Sequence, residues 1–126
     1  MNVPEQLRYT EEHEWIEARD DGTVRVGITD YAQDQLGDVV FVELSSAGAD
    51  VDAGAMLAEV ESTKSVAEVY APLAGSVESV NEQLVDQPEL VNQDPYGEGW
   101  FVTLRPSGDF DASSFLDAAA YRSLVE

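Results

Sequence analysis

The sequence predicts a mostly β fold with short helices and a closing C-terminal helix, and three observations carry that expectation. Short apolar, β-branched runs recur along the chain, bounded by Gly, Pro, Asp or Ser. Helical spacing coincides with a capping residue in only two stretches. The composition is 44% hydrophobic with two Trp, five Tyr and four Phe, enough for a packed core.

Glu14–Ala18 and 23–28 flank Asp20-Asp21-Gly22, a turn signal that joins antiparallel strands. Thr29 precedes Asp30–Leu36, where Ala32 and Leu36 stand one turn apart and Gly37 follows; this reads as an N-cap, a brief helix and a glycine stop. Residues 38–44 are apolar enough for a well-buried strand, and 45–50 form a polar loop. From 51 to 81 short strands alternate with turns: Gly54, then 57–62, a turn at Thr63-Lys64, Val66–Tyr70, Ala71-Pro72-Leu73-Ala74-Gly75 and 76–80. Residues 100–104 read as a core strand. At the end, Ser114 stands as cap to a helix over about 114–125 that sets Leu116, Ala120 and Leu124 on one stripe. At 13.7 kDa the expectation is one domain over 1–126, with its core motif over about 38–104.

The hairpin around Lys64 can be given a register. If Ser62 faces Ser65, Val60 pairs with Ala67 and Ala58 with Val69 on one face, while Glu59 meets Glu68 and Glu61 meets Val66 on the other. Opposed Glu59 and Glu68 cost up to about 1 kcal/mol in dilute buffer, a penalty that salt relieves. Thr63 is β-branched and disfavours positive φ, so a type I turn is expected, with Lys64 at its apex.

Twenty-six acidic residues against six basic ones give a formal charge of -20, which repels phosphate backbones and anionic headgroups; no nucleic acid or membrane partner is expected. Scattered acids over a normal core fit a halophilic source, where concentrated salt screens self-repulsion. The first residues lack the basic start and apolar run of a signal peptide, so the expectation is a soluble, cytoplasmic protein. One histidine and no cysteine make no nitrogen and sulfur metal site and no disulfide, so the metal expectation is none. His13 has no Gly-x-Ser-x-Gly partner, and no catalytic constellation emerges.

Lys64 is the sole lysine. A projecting amine stays hydrated, and a Schiff-base role needs burial or a neighbouring cation where the local sequence offers only Glu59, Glu61 and Glu68. Covalent modification is the simpler role.

Gly54, Val60-Glu61-Ser62-Thr63-Lys64 and Tyr70-Ala71-Pro72-Leu73-Ala74-Gly75-Ser76-Val77 resemble the modules that bear lipoyl or biotinyl groups. Biotin acceptors flank the lysine with methionines, and Thr63 and Ser65 stand here instead. The resemblance narrows to the glycine cleavage system H proteins through Tyr9-Thr10-Glu11-Glu12-His13-Glu14-Trp15, Gly27-Ile28-Thr29-Asp30-Tyr31-Ala32, Leu36-Gly37-Asp38, Leu90-Val91-Asn92 and Pro95-Tyr96-Gly97-Glu98-Gly99-Trp100. It departs at the site, where the family has Val before the lysine and Ala after it.

The resemblance implies a lipoyl/biotinyl-carrier-like β-sandwich or flattened barrel (hybrid motif), with lipoic acid in amide linkage to Lys64. It implies a non-catalytic carrier that takes an aminomethyl group from a pyridoxal phosphate-dependent glycine decarboxylase to a tetrahydrofolate-dependent aminomethyltransferase. The flavin (FAD) enzyme dihydrolipoamide dehydrogenase reoxidises the arm, and a lipoate-attaching enzyme installs it. An arm loaded with a water-labile cargo is expected to fold into a cleft, with Glu12, His13, Glu14 and Glu61 as candidate contacts. The alternatives are a lipoyl or biotinyl carrier for another complex, a lipoyl relay, or an unmodified acidic interaction module.

Overall fold

The structure, a computed structural model, describes residues 1–126. Its elements in chain order are β1 (Arg8–Tyr9), β2 (Glu14–Ala18), β3 (Val24–Ile28), α1 (Asp30–Leu36), β4 (Val39–Leu44), β5 (Asp50–Val51), β6 (Met56–Ser62), β7 (Val66–Tyr70), β8 (Gly75–Val80), α2 (Gln83–Asp86), α3 (Leu90–Gln93), β9 (Val102–Pro106) and α4 (Ala118–Val125). A 3₁₀ turn, Ala112–Ser114, precedes α4.

Two open antiparallel sheets form, one in the order β1-β2-β3-β9-β8-β5 and the other β4-β6-β7. They share one core, to which the larger sheet contributes Val26, Ile28 and Val102 and the smaller Val42, Val60 and Val69. This is the sandwich form of the expected fold. The alternation of apolar and polar residues along β6 and β7 puts one face of the small sheet inward and leaves the other in water. No helix is long and apolar enough to cross a membrane.

A second apolar cluster sits apart from that core, built from Val3, Leu7, Tyr9, Trp15, Ala118 and Tyr121. It ties the N-terminal segment and α4 to the larger sheet. Trp15 lies over Gly27, its cross-strand partner, where an added Cβ would stand 2.6 Å from indole ring atoms, so the glycine makes room for the ring. The indole N–H donates to the Pro95 carbonyl at 2.9 Å.

Two expectations are corrected. The strand β4 is not well buried: Val39 and Val42 face the core, but Val40 is 53% and Phe41 44% exposed. It is an edge strand whose register shifts between Val39 and Phe41, and an irregular edge turns side chains outward whatever their hydrophobicity. The last helix begins at Ala118 rather than 114. Asp117 caps it by accepting from the Ala120 N–H at 2.8 Å, while Ser114 ends the 3₁₀ turn. The buried positions are therefore Ala118 and Tyr121, with Ala120 and Leu124 exposed, because the large Tyr121 ring takes the place against the sheet.

Candidate functional site

The Lys64 hairpin has the register the alternation predicts: Ala58 opposite Val69, Glu59 opposite Glu68, Val60 opposite Ala67 and Glu61 opposite Val66. Its tip is closed by Ser62. The Ser62 N–H donates to the Ser65 carbonyl at 2.8 Å, and Ser62 Oγ accepts from the Ser65 N–H at 3.0 Å and the Lys64 N–H at 3.3 Å. Neither Thr63 nor Lys64 adopts positive φ, as a β-branched residue in the turn requires. The Thr63 N–H donates to the Asp38 carbonyl at 3.0 Å, pinning the tip to the start of β4. Thr63, Lys64 and Ser65 are all exposed.

The stem of Lys64 runs over Gly37. This residue, read from the sequence as a helix stop, has φ +80, and a Cβ there would stand 3.3 Å from Lys64 Cε. Its lack of a side chain thus ends α1 and also leaves a shallow seat for the lysine. Asn92 holds that turn in place: its amide donates to the Gly37 carbonyl at 2.9 Å and to Gln33 Oε1 at 3.0 Å, and its Oδ1 accepts from the Val39 N–H at 2.8 Å.

Beside this seat lies a cleft of about 350 Å³ between α1 and β7. Ile28, Ala32, Leu36, Val60, Ala67 and Val69 give it an apolar floor, and Gln35, Tyr31, Ser65, Glu68, Glu12 and His13 form its polar surround. Such a lining suits an aliphatic arm that carries a polar or cationic end. The fit is physical: a long side chain leaving Lys64 along the bare Gly37 backbone has an apolar groove to follow and carboxylates in the wall.

The sequence-predicted contacts divide. Glu12 and His13 line the cleft. His13 has φ 69, the only non-glycine residue with positive φ, and its ring stacks at a tilt on Tyr31 with centroids 4.8 Å apart. His13 Nδ1 is 2.9 Å from the Tyr121 hydroxyl. Burial pushes the imidazole below its ordinary titration range, with the Glu12 charge opposing.

Glu14 does not line the cleft. It is 2% exposed and spans the two sheets, accepting from Thr10 Oγ1 at 2.9 Å and from the Tyr70 N–H, on the edge strand β7, at 2.8 Å. Burial raises its carboxyl above the ordinary glutamate value, while those two hydrogen bonds pull it back. Glu61 is also outside, in a row across the small sheet with Phe41 and Val66. The next row is Glu43, Glu59 and Glu68, of which Glu68, on the edge strand β7, also borders the cleft and accepts from the Tyr70 hydroxyl at 3.0 Å.

Sequence reading missed Gly37 as a seat, Asn92 as a clamp, and Tyr31, Gln35, Ser65 and Glu68 as cleft lining. The signal for Gln35 and Tyr31 was present in the short helix, whose Ala32 and Leu36 face inward and so turn their neighbours to the rim. No local pattern announces Asn92 or Tyr121, since each acts across more than fifty residues.

Comparisons with known proteins are consistent along the whole length. The family described as glycine cleavage H-protein matches residues 7–126. A glycine cleavage system H protein of Mycolicibacterium vanbaalenii is 56% identical, the match covering 98% of this chain and 96% of that one. One from Klebsiella pneumoniae is 50% identical over 99% and 97% respectively. The crystal structure of a glycine cleavage system H protein from Mycobacterium marinum superposes with a TM-score of 0.87 at 42% identity, covering 96% of this chain and 97% of that one.

Proposed function

The chain belongs to the glycine cleavage H-protein family, a lipoyl carrier of the glycine cleavage system rather than an enzyme, and from that premise we propose that Lys64 is the residue that bears the lipoyl group. The observation that supports this most is the sole lysine at an exposed hairpin tip, its stem laid over a bare glycine beside an apolar cleft. When bound through an amide, the group supplies the reversible disulfide and thioether chemistry that a chain without cysteine lacks.

The remaining work falls to this chain's own residues. Ser62 and Asp38 hold the tip rigid, so that the lysine leaves the fold in a fixed direction. Gly37 and Asn92 keep the path from the tip to the cleft open. Ile28, Leu36 and Val69 exclude water from the floor, and the exposed carboxylates of Glu12 and Glu68 receive a cationic cargo end. Glu14 ties the Thr10 turn to the edge strand β7, and Glu61 faces away.

Tethering sets the concentration of the arm at each partner by reach rather than by free diffusion. The partners we infer are the pyridoxal phosphate-dependent glycine decarboxylase, the tetrahydrofolate-dependent aminomethyltransferase, the flavin dihydrolipoamide dehydrogenase and a lipoate-attaching enzyme. We also read the charge of -20 as adaptation to concentrated salt. The test of the carrier reading is reconstitution: the lipoylated chain supports glycine-dependent transfer with a decarboxylase and an aminomethyltransferase, and Lys64→Arg supports none. Equal transfer by the arginine variant would refute it.

A further inference from the structure

We propose that Tyr121, on the C-terminal helix, locks His13 as a neutral imidazole carrying its proton on Nε2, so that His13 serves the cleft as a hydrogen-bond donor and leaves reception of a cationic cargo to Glu12 and Glu68. The cleft's use by an arm rests on Lys64 bearing one; the state of the imidazole does not.

The polarity of the relay follows from satisfying buried groups. Thr29 Oγ1 accepts from the Ala32 N–H as cap of α1, and Thr29 is fully buried. Its own proton has one acceptor within reach, the Tyr121 hydroxyl at 2.7 Å. The Tyr121 hydroxyl, on a residue equally buried, must then send its proton to its other partner, His13 Nδ1, at 2.9 Å. Nδ1 is thereby an acceptor, and the ring's proton sits on Nε2, which has no partner within the protein. Protonating Nδ1 as well would reverse the relay and strand the Thr29 proton in the interior.

Several features hold the ring for this purpose. The left-handed backbone at His13 is fixed by its own N–H donating to the Thr10 carbonyl at 3.1 Å and by its carbonyl accepting from the Thr29 N–H at 3.0 Å. Backbone strain of this kind persists where the surroundings over-determine it, and sites of function collect it. The ring packs on Tyr31 and edge-on to Tyr121. The charged and titratable groups that face it are Glu12 from its own loop, Tyr31 from α1, Tyr121 from α4 and Glu68 from β7 across the cleft. Burial and the relay oppose an imidazolium, and the Glu12 carboxylate favours one. A neutral ring adds no positive charge to a cleft that must accept a cation, which is the functional consequence of the lock. Tyr121 is a positioning residue: it touches His13 and not the cleft.

The single histidine makes the test direct, because ¹⁵N-histidine labelling of the full chain gives one imidazole to observe. The expected wild-type spectrum at neutral pH has a protonated Nε2 and a bare Nδ1. In Tyr121→Phe the tautomer ratio moves roughly fivefold toward Nδ1–H, the factor that one ordinary hydrogen bond supplies, and the titration midpoint moves up. On the lipoylated chain loaded through a glycine decarboxylase, Tyr121→Phe then loses its cargo faster below that midpoint than the wild type does. A wild-type ring protonated on Nδ1 or evenly mixed, an unchanged spectrum in the variant, or unchanged cargo loss would each overturn the proposal. If Tyr121→Phe does not fold, the wild-type spectrum alone decides. Absence of lipoyl on Lys64 by intact mass would defeat the carrier reading and leave the histidine result standing.

Discussion

Two hairpins of this protein, β2–β3 and β6–β7, are built alike and end differently. Between β2 and β3, Asp21 Oδ1 accepts from the Thr23 N–H at 3.0 Å and Gly22 turns the chain at φ +87. Between β6 and β7, Ser62 Oγ accepts from the Ser65 N–H at the same 3.0 Å, and no residue of the turn has positive φ. Each turn is closed by a side-chain acceptor near its start, and each strand pair is locked in register by its apolar face. The first tip only joins its strands, with Arg105 donating to the Asp21 carbonyl at 3.3 Å. The second holds out the sole lysine over Gly37. Hairpin stability and tip chemistry are therefore separable, and a functional group can be mounted on a turn that other residues hold together.

The largest effect that could break the comparison is at the tip itself. Lys64→Arg removes all carrier activity in a reconstituted glycine cleavage assay while the melting temperature stays within a degree or so of wild type, since exposed substitutions away from special contacts stay within about 0.5 kcal/mol. A large loss of stability would mean that the lysine helps to build the hairpin.

Next in size is the clamp. Asn92→Ala leaves the Gly37 carbonyl and the Val39 N–H without their partner, and chemical denaturation should register a loss of about 2 kcal/mol. The change lies far from Lys64 in sequence, so a matching fall in the rate of lipoylation would show that the seat depends on it.

A matched glycine pair sharpens the contrast. Gly22→Ala and Gly37→Ala each force an L-residue to positive φ, at a cost on the order of 1 to 3 kcal/mol, the larger at Gly37, whose ψ of -160 lies in a region that only glycine adopts readily. Only Gly37→Ala also sets a methyl 3.3 Å from the Lys64 stem, so only it should slow lipoylation as followed by intact mass. Equal rates for both variants would remove Gly37 from the site.

The outer row of Glu43, Glu59 and Glu68 gives a smaller effect. Glu59→Gln should stabilise the chain by up to about 1 kcal/mol in dilute buffer and by almost nothing in molar salt. A benefit that persists in salt would locate the strain elsewhere than in charge.

Smallest is the pH dependence from His13, whose folded titration range is depressed by burial. The unfolded chain takes up a proton near 6.5 and the folded chain at a lower pH, so stability from this residue is complete above that value and declines as pH falls through the folded range. The difference between wild type and His13→Asn, whose side chain tolerates left-handed backbone, isolates the slope. A difference that shrinks as pH rises above 6.5 would reverse the assignment.

What could be read from the chain alone follows the range of the interactions. The register around Lys64 was legible because period-two alternation admits one pairing with Val60 and Ala67 inside. The α1 boundaries were legible because Thr29 and Gly37 are local signals, and Thr29 does cap, accepting from the Ala32 N–H. The helices α2 and α3 were not, since four residues carry too little periodicity to stand out. Ser114 and Asp117 are both good caps three residues apart, and only the packing of Tyr121 chooses between them. His13, Glu14 and Trp15 are consecutive yet reach the cleft, the space between the sheets and the second apolar cluster respectively. Sequence placed His13 and Glu14 near the site and could not give Glu14 its inward direction, which is set by the Tyr70 N–H on an edge strand far along the chain.

The central claim concerns one amide bond, and peptide-level mass spectrometry of the chain purified from its own host tests it most directly. A single lipoyl group on the peptide that contains Lys64, and on no other, is the result this account predicts. A chain drawn from glycine-degrading cells with Lys64 always unmodified would contradict it.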